Sequence, residues 1–141
     1  MVSSTTKLPL TGGCLCGAVR YQLSELPFAA EYCHCRMCQI VAGSPVATWM
    51  DVKAEQFTLL GEDISEYKSS EFVYRGFCPQ CGSTLSFRDS RHPDYFTLSI
   101  TSLDHPNQVA PTYHIFTESK LDWFDTQDSC KRFNLGAIAD K

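Results

Sequence analysis

Seven of the eight cysteines fall in three short motifs, and these limit the possible folds more than any other feature. Cys14-Leu15-Cys16 comes first, Cys33-His34-Cys35-Arg36-Met37-Cys38 second and Cys78-Pro79-Gln80-Cys81 third, while Cys130 stands alone near the end. Cysteines so close in sequence seldom bridge one another. The start of the chain, Met1 to Pro9, is rich in Ser and Thr and lacks the apolar run of a secretory leader. A cytoplasmic location is therefore expected, where clustered cysteines hold metal rather than form disulfides. A disulfide scaffold is the alternative.

The motifs divide by ligand count. Cys14, Cys16, Cys78 and Cys81 make two pairs, the commonest construction of a four-thiolate zinc site; such a site is closed and inert. Glycines flank the first pair at Gly12, Gly13 and Gly17, and Pro79 and Gly82 shape the second, which suits tight turns around one ion. An iron–sulfur cluster or buried inert cysteines are the other readings of the four. Cys33, Cys35 and Cys38 supply three thiolates and no evident fourth ligand. Three thiolates on Zn²⁺ leave one net negative charge and one free position. That position suits an incoming thiol better than an activated water, because a coordinated thiol is deprotonated outright. A second closed site is the competing reading, with His34, a distant histidine or Cys130 as fourth ligand. Two Zn²⁺ per chain are expected, one structural and one labile.

The rest of the chain reads as a small, single-domain, mostly β protein. Its 141 residues are 43% apolar and 20% charged, ordinary values for one globular domain. A net charge of −4 gives no reason to expect nucleic acid, and no apolar run is long enough to span a membrane. Val19, Tyr21 and Leu23 share one face of a strand; Phe96, Leu98 and Ile100 share another within 95–101. Further strands are expected over 45–50, 57–60, 64–67, 72–77, 84–88 and 113–117, about seven or eight in all. A helical turn is predicted over 39–44, ended by Gly43, and a short one over 51–56 capped by Asp51. Little other helix is expected. Residues 1–10 read as a flexible lead-in, 11–125 as the domain and 126–141 as a polar tail.

Other polar candidates carry less weight. His114 reads as a structural histidine in a strand, His92 and His105 as loop residues, and Cys130 as a free thiol. Arg36, Lys68 and Arg75 are candidate carboxylate-binding groups whose simpler reading is solvated surface charge. Trp49, Trp123 and Phe124 line a pocket or, more simply, belong to the core.

Three ordered stretches resemble one known family: Gly12-Gly13-Cys14-x-Cys16-Gly17-x-Val19-Arg20-Tyr21, Cys33-His34-Cys35-x-x-Cys38 and Arg75-Gly76-Phe77-Cys78-x-x-Cys81-Gly82-Ser83. They are similar to the glutathione-dependent formaldehyde-activating enzymes, whose domain is shared with the centromere protein V group. His114 to Lys120 followed by Trp123-Phe124 extends the likeness. The resemblance implies a β-tent-like, zinc-bound sheet fold with zinc knuckles in its loops. It implies structural zinc on Cys14, Cys16, Cys78 and Cys81 and a labile, catalytic-type zinc on Cys33, Cys35 and Cys38. The implied activity is that of a carbon–sulfur lyase joining a thiol, glutathione in named members, to a small aldehyde such as formaldehyde to give S-(hydroxymethyl)glutathione. The alternatives are a non-catalytic glutathione- or thiol-binding module and a structural zinc interaction module.

Overall fold

The computed structural model describes residues 7–136. Eleven strands and one α-helix occur among them: β1 Leu10–Gly13, β2 Arg20–Leu23, β3 Ala29–Cys33, α1 Arg36–Ala42, β4 Ala47–Lys53, β5 Phe57–Leu59, β6 Ser65–Lys68, β7 Val73–Phe77, β8 Thr84–Asp89, β9 Tyr95–Ser99, β10 Tyr113–Ile115 and β11 Lys131–Arg132. They form two sheets, a small β1-β2-β5 sheet and a large one ordered β11-β10-β3-β4-β9-β8-β7-β6. All pairings are antiparallel except those of β10 with β3 and β11, which are parallel.

Period-two patterning explains how the sheets meet. Tyr21 and Leu23 project from the small sheet onto Met50, Val52 and Leu98 of the large one, and all five are buried. Each such aliphatic or aromatic side chain contributes about 1.5–3 kcal/mol by leaving water. Central strand β4 is covered on both faces. Met50 and Val52 face the small sheet, while Ala47 and Trp49, on the alternate face, pack on Cys33 and Cys38.

Several boundaries differ from the sequence reading. The short helix over 51–56 is not there; β4 runs through Asp51 to Lys53, and only a 3₁₀ turn, Ala54–Gln56, follows. Asp51 is a buried strand residue whose Oδ1 accepts from Thr97 Oγ1 at 2.8 Å, not a helix cap. The helical turn predicted over 39–44 starts earlier, at Arg36, because the Cys35 thiol caps it. Strand β9 stops at Ser99, and Ile100 to Ser102 form a 3₁₀ turn. β1, β3 and β11 went unpredicted. Leu10, the last residue of the expected lead-in, opens β1 and is buried; residues 1–6 of that lead-in and 137–141 of the expected tail lie outside the described residues.

Candidate metal centres

Two groups of thiols come together in space: Cys14, Cys16, Cys78 and Cys81, and, separately, Cys33, Cys35 and Cys38. Within each, every sulfur lies within 4.8 Å of the others. All eight cysteines are free thiols.

The four-thiol group is built from two turns. After β1, Cys14 N donates to Val19 O at 3.0 Å, and Gly17, at φ 85°, reverses the chain. After β7, Gly82 N donates to Cys78 O at 2.9 Å with φ 78°. Left-handed backbone of this kind favours glycine. Amide hydrogens converge on sulfur: Val19 N donates to Cys14 Sγ at 3.3 Å, and Gln80 N and Cys81 N donate to Cys78 Sγ at 3.3 and 3.4 Å. Hydrogen bonds to a thiolate favour its charged form. The Ser83 hydroxyl, 3.1 Å away, heads the interactions that lower the Cys81 thiol to about 5. The sulfur separations of 3.6 Å (Cys14 to Cys16) and 3.8 Å (Cys16 to Cys78) fit a tetrahedron. With Zn–S bonds of about 2.3 Å, its edge is about 3.8 Å.

The three-thiol group occupies the β3–α1 junction. In an extended chain successive side chains alternate, so Cys33 and Cys35 share one side while His34 takes the other. α1 then begins, and Cys38 follows one turn after its cap. The Cys38 amide donates to Cys35 Sγ at 3.2 Å, and Cys33 Sγ lies 3.4 Å from Cys38 Sγ. The neighbouring thiols of Cys33 and Cys38 lower the Cys35 thiol to about 2, while hydrogen bonds with Cys35 and Cys38, then burial, push Cys33 up. Among the described residues no fourth metal-binding side chain joins this group.

The candidates for that fourth ligand are engaged elsewhere. His34 is buried, and its Nε2 lies 2.8 Å from His114 Nδ1; His114 Nε2 lies 3.1 Å from Asp128 Oδ1. Asp128 is held below the ordinary carboxylate range by the Thr126 hydroxyl and by His114. A carboxylate only accepts, so His114 carries its proton on Nε2 and accepts from His34 Nε2–H through Nδ1. Burial pushes the His34 imidazole below its ordinary value. Cys130 Sγ faces Pro111 O at 3.9 Å. His92 and His105 are exposed, as expected of loop residues.

Arg75 corrects the sequence reading. It is only 5% exposed, and Nη1 donates to Cys38 Sγ at 3.7 Å. Arg36 and Lys68 are exposed, as solvated charges are. Trp49 is core, whereas Trp123 is 75% exposed and Phe124 half-buried. Reading the sequence missed Asp128 and its partner Arg132, whose Nη1 lies 3.0 Å from Asp128 Oδ1. Nothing in the polar run 126–132 marked them, because their role comes from the parallel pairing of β11 with β10.

A groove of about 1030 Å³ opens beside the four-thiol group, and Cys14 is the one clustered cysteine that lines it. Cys14, Leu15 and Ser83 of the first group's turns line it, together with Ile40 and Val41 of α1 and the Trp49 that packs on Cys33 and Cys38.

Residues 9–119 match the family model described as glutathione-dependent formaldehyde-activating enzyme. The chain belongs to that family. It is 23% identical over 127 residues to an uncharacterized lyase of Schizosaccharomyces pombe, covering 90% of this chain and 92% of the relative. A crystal structure of a Rhodobacter sphaeroides protein has the same fold, with a TM-score of 0.56 at 21% identity over 72% of this chain and 91% of that one. Family membership and the yeast relative are consistent with a lyase-type function. No helix among the described residues is long and apolar enough to cross a membrane.

Proposed function

We propose that the protein is a zinc-dependent carbon–sulfur lyase that adds a thiol to a small aldehyde, with glutathione and formaldehyde as the pair the family name implies. The observation that carries the reading is the unequal pair of thiol groups: four sulfurs spaced for a closed tetrahedron, and three at a strand–helix junction with no fourth metal-binding side chain among the described residues. Cys14, Cys16, Cys78 and Cys81 hold the structural ion, and Cys33, Cys35 and Cys38 hold the labile one. When bound at the three thiols, zinc supplies a position where an incoming thiol gives up its proton.

The chain's own residues contribute position and surroundings. The Cys38 amide, donating to Cys35 Sγ at the helix cap, fixes one of the three sulfurs before an ion arrives. His34, turned away toward His114 and Asp128, anchors the junction. The groove, lined by Ile40 and Val41 of the helix that carries Cys38, has room for a tripeptide-sized thiol. In the reaction the thiol's S–H proton passes to solvent and a carbon–sulfur bond forms at the aldehyde carbon. The C=O π pair moves to oxygen, which takes up a proton, giving a hemithioacetal with no net oxidation. Holding thiol and aldehyde together is the main gain available to such an addition.

Exchange spectroscopy of the glutathione–formaldehyde hemithioacetal equilibrium tests the proposal. Zinc-loaded protein is expected to speed exchange, and protein lacking the labile ion is not. No acceleration with any of several thiols refutes catalysis. Saturable thiol binding without acceleration then assigns the site to thiol capture.

A further inference from the structure

Arg75 is a buried cation with no carboxylate beside it. Among the described residues the ion pairs involve Arg20, Arg88, Arg91, Arg132 and His114, not Arg75. Its Nη1 reaches Cys38 Sγ, its guanidinium carbon lies 5.0 Å from the centre of the Phe87 ring, and its Nε has no hydrogen-bond partner. The surroundings are apolar: Cys33, Cys38, Ala47, Trp49 and Ile115, with Phe87 packed against them. A lone charge in such a place is costly unless an opposite charge faces it. Arginine does not shed its proton to escape that cost. The groups in contact that can supply negative charge are the thiols of the three-cysteine cluster.

We propose that Arg75 selects for an anion at the Cys33/Cys35/Cys38 cluster. This rests on the reading of that cluster as a thiol-accepting metal site, and it adds what sets the charge there. A divalent ion with three thiolates carries one net negative charge, which would repel an incoming thiolate. The fixed positive charge of Arg75 cancels it, so a thiolate enters a neutral site. The ring of Phe87 beneath the guanidinium supports the cation without neutralising it. β7 delivers this charge economically: Arg75 points to one cluster, and three residues on Cys78 enters the other. The bulge between Gly76 and Phe77 lies between them.

The test uses Co²⁺ in place of zinc, because cobalt's visible absorption reports its ligands. Wild type, Arg75→Met and Arg75→Lys, each loaded with two Co²⁺, are titrated with glutathione and with neutral imidazole. Arg75→Met is expected to weaken glutathione binding by about tenfold or more and to leave imidazole within about twofold. Arg75→Lys, which keeps the charge, is expected to stay within about threefold of wild type for both ligands. Should Arg75→Met not fold, Arg75→Gln is the neutral variant and carries the same expectation. An unchanged glutathione affinity in the neutral variant, or an equal fall for both ligands, overturns the role of Arg75. So does a loss in Arg75→Lys as large as in the neutral variant. If wild type takes up imidazole but shows no change with any thiol, the thiol-accepting reading itself fails, and the role of Arg75 falls with it.

Discussion

Replacing one cysteine in each cluster separates the two roles. Cys16 and Cys78, 62 residues apart, face each other in the four-thiol group and join the turn after β1 to the turn after β7. An ion there ties the small sheet to the large one. Cys33 and Cys38 are five residues apart and already fixed by β3 and the first turn of α1. The entropy an ion saves by closing a loop grows as 3/2 RT times the logarithm of loop length, so loop length alone separates the two sites by about 2 kcal/mol. Cys78→Ser is therefore expected to lose about 2 kcal/mol more stability than Cys35→Ser, out of roughly 5–15 kcal/mol for a domain. In urea that gap moves the midpoint by about 1 M. The assay is urea unfolding of zinc-loaded wild type and both variants, followed by circular dichroism, with zinc per chain counted in each. Cys35→Ser is expected to keep one zinc and a near-native midpoint. Equal midpoints for the two variants, or a larger loss in Cys35→Ser, would refute the division of labour.

Three further outcomes follow from particular contacts. A methyl group at Gly76 would collide with the Ser86 side chain and meet Ile64 Cγ2 at 2.6 Å, so Gly76→Ala is expected to cost about 1–3 kcal/mol in thermal or urea unfolding. His114→Leu removes the ring partner of His34 and one of the partners of Asp128. It is expected to cost about 2–3 kcal/mol and to speed zinc loss from the three-thiol site to a colorimetric chelator, whereas His92→Leu, in an exposed loop, changes neither. Arg20, then Thr11, hold Asp104 at about 2 in the folded protein, below its ordinary value of 3.8. A depressed carboxylate stabilises the fold above its unfolded pKa and loses that contribution as pH falls through the folded one. Both partners are about a third exposed, so the contribution is about 1 kcal/mol or less. Metal-free wild type is expected to exceed metal-free Asp104→Asn in stability at pH 5, with the gap closing toward pH 2; a constant gap refutes it.

What could be read from the sequence was whatever local spacing encodes. The alternations Val19-Tyr21-Leu23 and Phe96-Leu98-Ile100 marked faces turned to the core: all are buried except Phe96, which is partly so, and Ile100 holds its place from the 3₁₀ turn after β9. The cysteine spacings gave the two groups because a ligand pair must turn tightly around one ion. What could not be read depends on partners distant in sequence. Asp51 looked like a helix cap until Thr97, on the neighbouring strand, took its carboxylate. β3, Ala29-Ala30-Glu31-Tyr32-Cys33, shows no clean alternation, because Glu31 is buried and bonded to Tyr113 Oη at 3.0 Å. Arg75 fits an alternating strand as an outward charge, and only the fold turns it inward onto Cys38.

The β3–α1 junction is held by more than its three thiols, so an ion bound there, as proposed, would be labile. His34 N donates to Ile115 O at 3.1 Å, and the Gln39 side chain donates back to His34 O at 2.9 Å. Gln39 also reaches Ser119 O at 3.2 Å, tying α1 to the chain after β10. The His34 ring is held by His114, itself stacked on Tyr32 with ring centres 4.4 Å apart. Each of these contacts fixes backbone between the three sulfurs without using them. An ion arriving there finds its ligands nearly in place and adds little folding energy, in contrast to sites where metal binding and folding are one event. The four-thiol group is the more open of the two, since Cys16 and Cys81 are exposed, and its two turns meet through Leu15 N, which donates to Ser83 Oγ at 3.0 Å, and through the packing of Cys14, Val19, Cys78 and Leu85. On the proposed assignment, the same chemistry of thiolate and metal would hold one part of the molecule together and leave the other free to exchange ligands.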